Sequence, residues 1–166
     1  MQELSGETLL QELGMDFLKS ASTFGALSEP AIRQLMIQGR VFRLSDGDFL
    51  FKPGERGDSF FVILQGSVSY YRQNDGQPEH ICDYHVGQEI GFVSLIALTS
   101  RLGTAVASSD ALVLEVDSDH FYALHCAYPL DFGVLMMNLS RELARSLIKI
   151  GATLAEYRHA AAKIPH

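Results

Sequence analysis

An α+β fold is predicted, with helices at both ends of the chain and many short strands between them. Two observations predict it. Apolar residues recur at helical spacing before about residue 40 and again after Asp117, whereas from Val41 to Val116 they come in short β-branched or aromatic runs. Those runs are separated by glycine-rich turns, the pattern of a sandwich, a jelly roll or a small barrel.

Residues 1–40 read as an amino-terminal helical segment, with Leu9, Leu10, Leu13, Phe17 and Leu18 at helical spacing. Phe24-Gly25-Ala26-Leu27 breaks that pattern. Ser28 then caps a second helix, and Pro30 fits its opening turn, where no amide partner is needed. This helix carries Ile32, Leu35 and Met36 and is expected to end near Gly39.

Residues 41–117 hold the strands: Phe49–Phe51, Phe60–Leu64, Val68–Tyr71 and Leu112–Val116. The turns between them fall at Gly47, Gly54, Gly57-Asp58, Gly66 and Asn74-Asp75-Gly76, the last a hairpin tip. Glycine reaches positive φ without a Cβ penalty, so these glycines specify the fold and are not read as site residues.

Residues 118–166 return to helix. Asp117-Ser118-Asp119 caps a short helix through Phe121, Tyr122 and Leu124. Pro129 marks a new start, and one long helix is predicted over 130–162, with a kink near Gly151. Along it Met136, Leu143, Leu147, Ile150, Leu154, Tyr157 and Ala161 follow three- and four-residue steps, with Ser140 as the one polar interruption. That is a coiled-coil seam about three heptads long, read as a dimer interface. A second stripe of Phe132, Leu135, Leu139 and Ile148 is expected to face the strands. Two apolar faces on one helix predict a homodimer; the alternative is a helix packed only on its own domain.

Composition narrows the function. A chain of 166 residues with 47% apolar content is one globular domain by expectation. A formal charge of −7 argues against direct nucleic-acid binding, which depends on Lys and Arg. No apolar run reaches the roughly 18 residues of a membrane span. The opening M-Q-E-L-S-G-E-T-L-L lacks a secretory signal, and Cys82 and Cys126 form no framework, so a reducing cytoplasmic location is expected. No nucleophile elbow or Walker-type loop is present, so no catalytic residue is assigned and an enzyme is not expected. His80, Cys82 and His85 cluster in sequence, as do His120, His125 and Cys126, but neither set has zinc-ligand spacing and no metal site is assigned. On alternating strand positions His80 and Cys82 would share a face and His85 would point away.

The segment R-L-S-D-G-D-F-L-F-K-P-G-E-R-G-D-S-F-F-V-I-L-Q-G-S-V and, at the right distance, G-Q-E-I-G-F-V-S-L-I-A-L-T-S-R-L-G-T-A-V over 87–106 resemble the two signatures of cyclic-nucleotide-binding domains. The family includes the sensor halves of Crp/Fnr-type regulators. Over residues 24–150 the resemblance implies a jelly-roll-like β-barrel (a double-stranded β-helix) with amino-terminal helices and a long carboxy-terminal helix. It makes 87–106 a phosphate-binding cassette.

In that family a cassette glycine is followed by a glutamate that holds the ribose 2′-hydroxyl, and nine residues later an arginine pairs with the cyclic phosphate. Gly91 and Arg101 stand at those positions, but the glutamate is Phe92. The implied ligand-binding set is Gly91, Phe92, Val93, Ser94, Arg101, Leu102, Gly103 and Thr104, the last three where the family has two small residues and a threonine. An anion would sit at the amino end of the Gly91–Ala97 helix, with Arg101 as its cation. Outside this context Thr99-Ser100-Arg101 reads as a polar surface loop.

Phenylalanine cannot accept the ribose bond, worth roughly 1.5–3 kcal/mol, or one to two decades of affinity. Glu89 lies three residues upstream on a presumed strand and is a poor substitute. The expected function is therefore a non-enzymatic ligand-sensing module whose ligand is a cyclic nucleotide in weakened form or another small anion, with no cofactor assigned. Its expected partners are a second copy and a separate effector protein. Two alternatives stay open: a dimerising scaffold with a vestigial pocket, and the sensor subunit of a Crp/Fnr-type regulator without its DNA-binding domain.

Overall fold

The structure is a computed structural model describing residues 1–161. Strand β1 (Gln2–Leu4) precedes helices α1 (Gly6–Leu13) and α2 (Met15–Ser20), a 3-10 turn (Ser22–Phe24) and α3 (Glu29–Gln38). Strands β2 (Arg40–Leu44), β3 (Phe49–Phe51), β4 (Ser59–Gln65), β5 (Ser67–Asn74), β6 (Gln77–His85) and β7 (Glu89–Ile90) follow. Then come α4 (Phe92–Ala97), β8 (Thr104–Ala107), β9 (Ala111–Asp117), α5 (Ser118–Ala127) and α6 (Pro129–Ala161).

The expected side-chain caps form. Ser28 Oγ accepts the Ala31 amide and Asp117 accepts those of Asp119 and His120, which satisfies amides that a helix start leaves open. The first helical run is two helices, because Gly14 takes φ 79° and ψ 154°. That geometry suits glycine and ends α1. Strand β1 was not anticipated: three residues are too short to show a period, and β1 forms only by pairing with Val41–Arg43 of β2.

The strands make two antiparallel sheets, ordered β1-β2-β9-β4-β7 and β3-β8-β5-β6. The jelly-roll-like barrel and its flanking helices are as expected. Asp75 and Gly76 both have positive φ in the β5–β6 hairpin, the geometry a two-residue turn needs.

Strand β4 explains the layering. Phe61 and Ile63 point into the barrel with Phe51, Val68, Ile90 and Val113, while Phe60, Val62 and Leu64 point outward under the helices. Both faces are buried, so β4 reads as a continuous apolar run. The helical layer places Leu18, Phe24, Ile32, Leu35, Leu124, Leu135 and Leu139 on that outer face.

Helix α6 continues through Gly151 as one element. Of its second stripe, Leu135 and Leu139 are fully buried and Phe132 is partly buried, but Ile148 is 73% exposed, a correction to the expectation. The domain ends beneath Leu143, and every residue from Ala144 to His159 is exposed, so none of the described residues covers Ile148. The predicted helix end at Ala162 lies outside the described residues.

Candidate functional site

Two backbone features position the cassette. Gly91 adopts φ 99°, turning the chain from β7 into α4. The loop before β4 holds the far end, because the Gly54 amide donates to the Arg101 carbonyl and the Arg101 amide donates to the Glu55 carbonyl, both at 2.9 Å. Gly57 is required there, since a Cβ would meet the Thr99 carbonyl oxygen at 2.2 Å.

Arg101 is not a surface arginine; it is 3% exposed. Its Nη1 donates to the Gly91 carbonyl at 3.1 Å and its Nη2 to Ser59 Oγ at 2.9 Å. The guanidinium lies 4.5 Å from the Phe51 ring centroid and 5.5 Å from that of Phe61. Ser59 donates onward to Glu115 at 2.8 Å, and Glu115 faces Arg40 at 3.5 Å. Burial lowers the Arg101 pKa, opposed by the carboxylates of Glu115, Asp58 and Glu55. Nε is buried without a partner.

Phe92 points away from Arg101. It is 1% exposed and belongs to the layer beneath the helices. Its ring meets Phe60 of β4 edge-on at 5.9 Å and Phe121 of α5 at 6.3 Å. Phe60 and Phe121 lie 5.8 Å apart, and Phe121 meets Phe132 of α6 at 4.8 Å. One aromatic cluster therefore joins the cassette to both carboxy-terminal helices.

The remaining cassette residues are dispersed. Ser94 is buried, Val93 and Leu102 are about half exposed, and Thr104 opens β8 opposite Tyr71. Gly103 lies under the Tyr70 ring, where a Cβ would stand 2.6 Å from the phenolic oxygen. Tyr70 and Tyr84 pack against the barrel interior, and burial raises both hydroxyl pKa values. Two open surface cavities, of about 630 and 480 Å³, contain no cassette residue.

Ser59, Tyr70 and Glu115 were not singled out from sequence. Ser59 had one visible signal, a hydroxyl heading the apolar run S-F-F-V-I-L. Glu89 faces neither Arg101 nor the barrel: it pairs with Val62, so its side chain lies on the helical side, and it accepts the Phe92 amide at 3.3 Å.

On α6, Met136 and Leu143 pack partly against their own domain. Leu147, Ile150, Leu154 and Tyr157 continue that face and are 56–75% exposed. The side chain of Ala161 lies outside the described residues.

The histidine expectation is corrected by a bulge. Tyr70 pairs with Cys82 and Tyr71 with His80, leaving Ile81 as the extra residue. His80 and Cys82 therefore face opposite ways, and His80 meets Asp83 at 2.9 Å. Among the described residues, no three His, Cys, Asp or Glu side chains come together to hold a metal ion.

Residues 41–127 match the family model described as cyclic nucleotide-binding domain. The chain is 28% identical over 119 residues to neuropathy target esterase sws of Drosophila grimshawi, covering 71% of this chain and 8% of that protein. It is 28% identical over 109 residues to human cGMP-dependent protein kinase 2, covering 64% of this chain and 14% of the kinase. The chain thus spans only a small part of these curated relatives. A solved cyclic nucleotide-binding domain from Methylobacillus flagellatus KT superposes with a TM-score of 0.77 at 20% identity, over 99% of this chain and 90% of that one.

Proposed function

The chain belongs to the cyclic nucleotide-binding domain family, and on that footing we propose that it is a non-enzymatic regulatory module that does not hold cAMP or cGMP through the usual ribose contact. The observation that carries this reading is the burial of Phe92 between Phe60 and Phe121. The position that resembles the ribose carboxylate is committed to the core, and the nearest carboxylate in sequence, Glu89, lies on the helical side of β7. A nucleotide would leave its 2′-hydroxyl unpaired against apolar side chains, an unfavourable exchange.

The aromatic cluster from Phe92 to Phe132 gives the cassette a direct mechanical connection to α6. The output is self-association of α6 or its docking on an effector. The bare continuation of the buried helix face, at Leu147, Ile150, Leu154 and Tyr157, supports that output. The expected heptad pairing is with a second copy.

One observation favours the scaffold reading, in which no ligand is used at all. Arg101 is already bonded to Gly91 and Ser59 and stacked on Phe51, so the cassette is held shut by its own cation. Calorimetric titration with cAMP and cGMP tests the main reading. No binding in the micromolar range is expected, whereas binding at micromolar strength or tighter refutes it. Titration with inorganic phosphate separates the two readings: Arg101-dependent binding supports an anion sensor, and its absence supports the scaffold.

A further inference from the structure

Glu89 and Arg101 are the two charged side chains buried among the described residues. Arg101 donates two hydrogen bonds, whereas Glu89 has no ion pair there and takes one long bond from the Phe92 amide. We propose that Glu89 is a proton-binding site that governs the docking of α6: its neutral carboxyl lets the helix pack, and its carboxylate loosens it.

Glu89 lies opposite Val62, in the layer that receives Leu135 and Leu139 of α6. It also precedes the cassette helix, accepts the Phe92 amide that opens α4, and lies within electrostatic reach of Glu142 on α6.

Strand β4, helix α4 and the 3-10 turn carry no ionisable side chain. On strand β6 the Tyr84 hydroxyl packs on the barrel side of the sheet; burial raises its pKa, and Cys82 and then Glu89 add to the rise. Helix α6 contributes Glu142, a second carboxylate, and the guanidinium of Arg145 is spent on Glu142. Among the described residues, no cation compensates Glu89. Burial first, and Glu142 to a lesser degree, raise its pKa from 4.5 to about 7, against the pull of the Phe92 amide.

The linkage has a definite sign. A carboxyl raised in the docked state holds a proton that the undocked state releases. Docking is fully supported below pH 4.5, weakens as pH rises, and loses this support above pH 7. With those two values the docking constant falls about tenfold between pH 6 and pH 8. The inference rests on α6 as the output of the proposed module and not on nucleotide binding, so a silent calorimetric titration leaves it intact.

Amide hydrogen exchange on the whole chain at pH 6 and pH 8, corrected for intrinsic exchange, tests it. Protection over residues 132–143 is expected to fall about tenfold, with a smaller change in β4. The near-isosteric Glu89→Gln is expected to abolish the fall. The same slope in Glu89→Gln, or an equal loss throughout β4, overturns the proposal. So does a wild-type Glu89 carboxyl carbon resonance that titrates near 4.5, a measurement that needs no variant.

Discussion

Phe92→Glu restores the residue that the cassette motif leads one to expect, and it separates two ideas about this position. If Phe92 simply occupies a ligand pocket, the variant should gain cyclic-nucleotide affinity at little cost. The structure gives another outcome. The ring is 1% exposed and wedged edge-on against Phe60 and Phe121. Truncating a buried phenylalanine costs about 3–5 kcal/mol, and an unpaired carboxylate in the same place adds a desolvation penalty. The loss is therefore expected to be about 4 kcal/mol or more, against a total stability of about 5–15 kcal/mol. The midpoint should fall by on the order of 10 °C. Far-UV circular dichroism during urea and thermal unfolding is the suitable readout, because the chain has no tryptophan. Phe92→Leu, which keeps an apolar side chain, should cost only about 1–2 kcal/mol. If Phe92→Glu keeps wild-type stability and binds cAMP, the side chain turns outward into the cassette and the core assignment is wrong.

The other perturbations address the cation and the helix. Arg101→Ala removes two charged hydrogen bonds and a ring contact, so urea unfolding should show a loss of about 2–4 kcal/mol. A change within about 0.5 kcal/mol would instead mark a surface arginine. For α6, sedimentation of the wild type should give a dimer and that of Leu147→Glu a monomer with unchanged circular dichroism. An unchanged mass removes the seam from the proposal.

Much of the fold was legible because local chemistry and tertiary context agree. Ser28, Asp117 and Pro129 start helices for reasons contained within one turn, and Asp75-Gly76 closes a hairpin whose geometry needs two positive φ values. Strand β1 and the bulge at Ile81 were not legible, since each is defined by register against another strand. Ile148 shows the same limit on α6. Periodicity identifies an apolar stripe, but only the length of the underlying domain decides where that stripe stops being covered.

The cassette was legible as a motif but not as a set of directions. Spacing placed Gly91 and Arg101 at the two ends of one loop, and the Arg101 Nη1 bond to the Gly91 carbonyl joins them. Spacing could not say which way position 92 points, because that depends on the side chain placed there. A glutamate on a domain surface gains by staying hydrated; a phenylalanine at the start of α4 gains by rotating under Phe60 and Phe121. Changing the residue thus changes both the available chemistry and the direction in which the position acts. The same reasoning applies to Arg101. A cation flanked by Phe51, Phe61 and a hydroxyl already tied to Glu115 has favourable internal partners. An external anion must compete with all of them at once. Ser59→Ala provides a further handle on that competition, since it removes the only side-chain oxygen among those partners and leaves the Gly91 carbonyl in place.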